Sequence, residues 1–186
     1  MRHVEIRKAD HSDLDAVEKV YSDVHDAEEG GRITTGWIRS IYPIRETAEA
    51  ALERDDLFVL TEDGDVVGTA IINQIQVDVY NGAPWENETD DSDVCVLHTL
   101  AVSPFAGGKG YGKAFIRFYE EYAAERGCHE LRIDTNARNK TARSMYKKAG
   151  YKEIDIVPTV FNGIPGIDLV LMEKKVIQAS LRSTER

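Results

Sequence analysis

Apolar residues recur along the chain in two rhythms, and the rhythms alternate. Val4 and Ile6 alternate with polar neighbours, which predicts a short first strand. Leu14, Val17, Tyr21 and Val24 fall on one helical face. Ser12 and Asp15 resemble a capping box at the start of that helix, and Gly30-Gly31-Arg32 ends it. A second helix is expected after Pro43, running through Ala48 and Leu52 to about Arg54. Residues 57–61 and 66–75 flank the turn Glu62-Asp63-Gly64-Asp65 and read as a hairpin, its second strand reaching toward Tyr80. A polar, acidic loop with Pro84 and Trp85 covers residues 81–93. Residues 94–102 are almost continuously apolar, the pattern of a strand covered on both faces.

Tyr111, Phe115, Phe118 and Tyr122 then share a helical face, and Gly127 can end that helix. Leu131 and Ile133 mark another strand. Asn139 can cap a helix bearing Ala142, Met145, Tyr146 and Ala149, with Gly150 at its end. Two last strands are expected over residues 151–161 and 167–173, joined through residues 162–166. The order is β-α-α-β-β-β-α-β-α-β-β. It predicts an α/β (α+β) fold, a mixed and mostly antiparallel sheet of about seven strands with helices on both faces.

Composition narrows the class. A chain of 186 residues suggests one domain, taken as residues 1–176, with residues 177–186 as a mobile tail. No apolar run is long enough to span a bilayer, and residues 1–5 turn acidic with no apolar signal core, so a cytoplasmic protein with no membrane partner is expected. The net charge of −10 argues against a nucleic-acid partner and leans toward a cationic substrate. Cys95 and Cys128 have neither disulfide nor metal-site spacing, and Cys95 reads as a buried thiol. No metal is expected.

The chemistry concentrates in Gly107-Gly108-Lys109-Gly110-Tyr111-Gly112, between a strand and a helix. Glycines let backbone N–H groups approach an anion, and a helix N-terminus adds unpaired donors. That suits a diphosphate. The stretch Gly107 to Lys113 also matches the start of a P-loop, but Ala114 stands where a Ser or Thr would ligate Mg²⁺, and about a hundred residues precede it.

Leu97-His98-Thr99-Leu100-Ala101-Val102-Ser103-Pro104 with Gly110-Tyr111-Gly112 resembles the central motif of the GNAT N-acetyltransferases. Asn139, Ala142, Tyr146, Gly150 and Tyr151 match a second motif of that family at compatible spacing. The resemblance implies a GNAT-like acyltransferase fold that moves acetyl from acetyl-CoA directly to a primary amine of a small molecule or peptide. A homodimer is compatible with it. The alternative is an acyl-CoA-binding sensor without turnover. One departure is Gly107, where the family usually carries Arg or Gln; Lys109 and Lys113 are candidates for the missing charge.

The resemblance further implies that the backbone of Leu100, Ala101 and Val102 pairs with the pantetheine arm. The loop Gly107, Gly108, Lys109, Gly110, Tyr111, Gly112 and Lys113 would hold the diphosphate. Asn139 would touch the cofactor or cap its helix. Tyr146 is the candidate acid for the departing thiolate, against a packing role on its helix face. His98 is the candidate base, direct or through water, against a buried hydrogen-bonded histidine. Glu86, Glu88, Asp90, Asp91 and Asp93 are alternative bases, and Trp37, Tyr42 and Trp85 are candidate walls of an acceptor pocket. Cys95 and Cys128 are not expected to act as nucleophiles.

Overall fold

The computed structural model describes residues 2–177, so the expected tail lies outside the described residues from 178 onward. Seven strands form one sheet: β1 (Val4–Lys8), β2 (Leu57–Glu62), β3 (Asp65–Asn73), β4 (Val94–Val102), β5 (Glu130–Asn136), β6 (Lys152–Phe161) and β7 (Ile164–Lys175). Their order is β1-β2-β3-β4-β5-β7-β6. Every neighbouring pair is antiparallel except β4 and β5. The helices are α1 (Leu14–Glu29), α2 (Arg45–Glu53), α3 (Tyr111–Glu125) and α4 (Lys140–Lys148). The mixed sheet with helices on both faces is as the apolar pattern predicted.

Strand alternation sorts the core into layers. Phe58, Leu60, Ile72, Leu97, Leu131 and Ile133 face α3 and α4, where Phe115, Tyr119 and Tyr146 meet them. Leu57, Val59 and Ile71 face α1 and α2. On the β5–β7 side of that second face no long helix packs among the described residues; Tyr80 and half-buried Trp85, from the segment before β4, cover Val94, Val96 and Leu171 instead. Among the described residues no helix is long and apolar enough to cross a membrane.

Three details differ from the sequence reading. The cap at the start of α1 is not Ser12 with Asp15. Asp10 accepts the Ser12 N–H at 2.8 Å, and Asp13 accepts the Asp10 N–H at 2.9 Å, closing a 3₁₀ turn (His11–Asp13) ahead of α1. The hairpin's second strand stops at Asn73 and does not reach Tyr80, which belongs to a 3₁₀ turn. Asn73 Oδ1 accepts the Ile75 N–H at 2.9 Å, a local bond that turns the chain out of the ladder. On α3 the buried stripe is Tyr111, Phe115, Ile116, Tyr119 and Ala123; Phe118 and Tyr122 are half-buried, with ring centroids 5.4 and 5.1 Å from Phe58.

The feature that makes the site is a bulge. Thr69 pairs with Ala101 and Ile71 with His98, so β4 spends one residue more than β3 over the same span. Thr99 sits in that extra stretch at φ 50°, a strained value for a β-branched residue. Beyond the bulge β4 leaves β5. Their ladder ends at Leu97 and Ile133, while β5 continues from Asp134 to Asn136 paired only with β7.

Candidate active site

A cavity of about 680 Å³ opens where β4 and β5 part, and its lining includes the glycine loop, α4 and the segment between α1 and α2. That volume lies within the usual range for a small-molecule site.

At one end is the glycine loop. Gly108 and Gly110 have φ of 78° and 82°, conformations open to glycine, and a Cβ at either would meet nothing within 4 Å. Gly110 is the N-cap of α3 in a left-handed conformation, with no side chain capping the helix. Tyr111, Gly112 and Lys113 occupy the first helical turn, where no intrahelical acceptor exists. No acceptor for the N–H of Gly108, Lys109 or Gly110 is found among the described residues. Six consecutive amides, from Gly108 to Lys113, are thus available to an anion, and the residues present fit a diphosphate. Gly107 N–H bonds to Pro104 O at 3.2 Å, and a Cβ on Gly107 would lie 3.0 Å from that oxygen, so the backbone disfavours a side chain there. Lys109 does not offer its ammonium to this site, because Nζ pairs with Glu62 at 2.7 Å. Lys113 lines the cavity.

Leu100 and Val102 line the cavity, whereas the Ala101 side chain packs under α1 and α2. The Asn139 side chain accepts the Ala142 N–H at 3.1 Å, capping α4 while also lining the cavity.

In the middle stands Tyr146, projected from α4 toward the parting strands. It is 5% exposed, and no hydrogen bond to its hydroxyl is found among the described residues. Burial, with the Asp134 carboxylate nearby, pushes its pKa far above the ordinary phenol value, so the proton stays on at neutral pH. His98 lines the cavity too. Its Nε2 meets Asn73 Oδ1 at 3.0 Å, and burial pushes its pKa down to about 4.

The other end of the cavity holds residues that no motif announced. Asp134, the first β5 residue past the ladder, lies deep but open to the cavity, and Tyr80 donates its hydroxyl to Oδ2 at 2.7 Å. Burial pushes the Asp134 pKa up to about 6. Tyr42 and Thr99 are joined hydroxyl to hydroxyl across the bulge. Glu28, near the end of α1, accepts from Thr35 N at 2.6 Å, Thr35 Oγ1 at 2.8 Å and Gly36 N at 3.0 Å, pinning the loop that roofs this end. In the sequence Asp134 is one more polar residue in a strand; only strand register against β4 would have singled it out.

The site gathers Trp37 and Tyr42 as anticipated, but not Trp85. That ring packs on Tyr80 at 5.2 Å and carries the Arg132 guanidinium at 4.1 Å. Nor do Glu86, Glu88, Asp90, Asp91 or Asp93 line the cavity. Glu86 pairs with Lys152, and Asp93 lies 3.6 Å from His129. Cys95 and Cys128 are buried outside the cavity, and burial pushes the Cys95 thiol up to about 12.

Known proteins share this fold. Solved structures with the same fold include an N-acetyltransferase from Staphylococcus aureus Mu50, with TM-score 0.71 and 20% identity over 94% of this chain and 99% of that one. Another is yncA of Salmonella typhimurium, solved with its cofactor acetyl-CoA, with TM-score 0.68 and 18% identity over 98% and 99% of the two chains. In sequence, the chain is 28% identical over 105 residues to an uncharacterised N-acetyltransferase of Methanocaldococcus jannaschii, covering 56% of this chain and 42% of that protein. It is 29% identical over 98 residues to an aminoglycoside N(6')-acetyltransferase type 1 of Klebsiella aerogenes, covering 53% and 59%. The matches thus span about half the length of these two relatives. The profile of the acetyltransferase (GNAT) family matches residues 17–151, well over half of the sequence, and the chain belongs to that family.

Proposed function

We infer that the protein is an N-acetyltransferase that moves an acetyl group from acetyl-CoA directly to a primary amine. The observation that carries this reading is the row of six amides from Gly108 to Lys113, free of internal acceptors, at one end of a cavity whose middle holds the Tyr146 hydroxyl. In this reading the amides bind the diphosphate. The free edge of β4 at Leu100, Ala101 and Val102 takes the pantetheine arm. Acetyl-CoA supplies the acyl group as a thioester.

Tyr146 is the acid. Its raised pKa keeps the hydroxyl protonated until a thiolate appears beside it, and a phenol can then give up that proton. His98 stays neutral at physiological pH, but its pKa of about 4 leaves it a weak acceptor for an ammonium proton. Its place in the cavity suits orienting a water or the acceptor. The sensor reading needs no acid, and Tyr146 in the gap favours the enzyme.

Thermal melting tests the cofactor assignment. A ligand bound only to the folded protein at a hundred times its Kd stabilises it by about 2.7 kcal/mol. Acetyl-CoA should raise Tm, and Mg-ATP should raise it much less. Gly110→Asp should abolish the acetyl-CoA shift, because it puts a carboxylate among the loop amides. A strong ATP shift without an acetyl-CoA shift would reject the reading.

A further inference from the structure

Asp134 is the only carboxylate among the described residues lining the cavity, whose cationic side chains are Arg32 and Lys113. Among the described residues Tyr80 supplies one hydrogen bond to Oδ2, no other bond to the carboxylate is found, and no cationic side chain pairs with it. A deep carboxylate left without a cation is costly unless something fills that role. The rest of the cavity offers apolar walls in Trp37, Tyr42, Val77, Phe161, Ile164 and Ile167, and its other polar groups, among them Thr34, Thr35, Asn136 and Asn162, are uncharged. The acidic residues that give the chain its charge of −10 lie elsewhere.

We propose that Asp134 is the acceptor-binding carboxylate and general base, and that the acceptor is a small monoamine: one ammonium on an apolar body. The proposal rests on the acetyltransferase reading above. Asp134 sits where β4 leaves β5, so an ammonium held on its open oxygen faces the same gap that Tyr146 faces. Asp134 removes one proton from the ammonium. The nitrogen lone pair then forms the N–C bond to the acetyl carbon, and the C–S bond breaks. Tyr146 gives its proton to the sulfur and is restored by the second proton lost from nitrogen. The net products are the amide, CoA thiol and one proton, which leaves Asp134 for water. A polycation fits this site poorly. Its further ammonium groups would meet apolar walls, neutral hydroxyl and amide groups or Arg32, with no second carboxylate among the described lining residues to receive them. The aminoglycoside relatives therefore do not predict the acceptor.

Phenethylamine, tryptamine and isoamylamine, compared with kanamycin and spermidine, test this. Binding is read by calorimetry with CoA present, and turnover with acetyl-CoA. The monoamines should exceed both polycations by at least about tenfold in kcat/KM, the scale of one misplaced group at about 1.4 kcal/mol. Asp134→Asn should weaken monoamine binding and lower kcat/KM by about 10²-fold, with the acetyl-CoA melting shift retained. Should that variant not fold, the wild-type ranking of amines still decides. Kanamycin or spermidine as an equal or better acceptor, no monoamine bound or acetylated, or a fully active Asp134→Asn would each overturn the proposal. Failure of the parent reading looks different: acetyl-CoA would then not shift the melting of the wild type.

Discussion

Tyr146 stands on α4 and Asp134 on β5, and both line the one cavity. Tyr146 carries a motif, because its helix spacing and the following Gly150-Tyr151 are local in sequence. Asp134 has no local signature. It matters because the β4–β5 ladder stops one residue before it, a fact of pairing between segments more than thirty residues apart. His98 was equally visible as a residue, but its bond to Asn73 and its lowered pKa come from the packed environment. Tyr146→Phe removes only a hydroxyl with no hydrogen bond among the described residues, so stability and acetyl-CoA affinity should hold. Steady-state turnover should drop by about 10²-fold in kcat and kcat/KM together. In the wild type, kcat/KM should fall as pH drops through about 6, where Asp134 takes up a proton and ceases to be a base. The groups around it that titrate, Tyr80, Tyr42 and Tyr146, all stay protonated there, since burial raises each of them. Asp134→Asn should erase that limb. A limb near 4 instead would point to His98.

Helices and strands were legible wherever apolar spacing was strong, and blurred where several polar residues competed. At the start of α1, Asp10, Ser12, Asp13 and Asp15 are all plausible caps by type. The choice is made from another element: Arg7 on β1 holds Asp13 with two hydrogen bonds of 2.7 and 2.9 Å, fixing which carboxylate turns inward. The Arg7 guanidinium keeps the Asp13 pKa below its ordinary 3.8. Asp13→Asn should therefore cost about 1–2 kcal/mol, the range for hydrogen bonds to a charged group with allowance for the partly exposed arginine. That corresponds to a Tm lower by roughly 3–6 °C at this chain length. Because the folded pKa is depressed, the wild type holds this contribution above pH 3.8 and loses it as pH falls through the lower folded value. The gap in melting temperature between wild type and variant should close over that acid range. A gap that stays constant with pH would assign the effect to packing.

In the molecule as a whole, both ends of the cavity depend on one bulge, and both face a single gap. Two substrates can then meet only by being present together. Initial rates with both varied should give intersecting double-reciprocal lines, while parallel lines or an acetyl thioester on Cys95 or Cys128 would show a covalent route. The bulge has a second consequence. From Thr99 onward β4 leaves main-chain hydrogen bonds unmade on the side away from β3, and Thr99 is held at φ 50° to keep it so. The sheet is left unfinished at that opening. Variants selected for heat resistance alone should accumulate changes that let β4 zip onto β5, since each recovered pair adds stability and narrows the cavity. Directed evolution of this chain will need activity in the screen from the first round, because the easiest route to a hardier protein runs through closing the cavity on which the proposed activity depends.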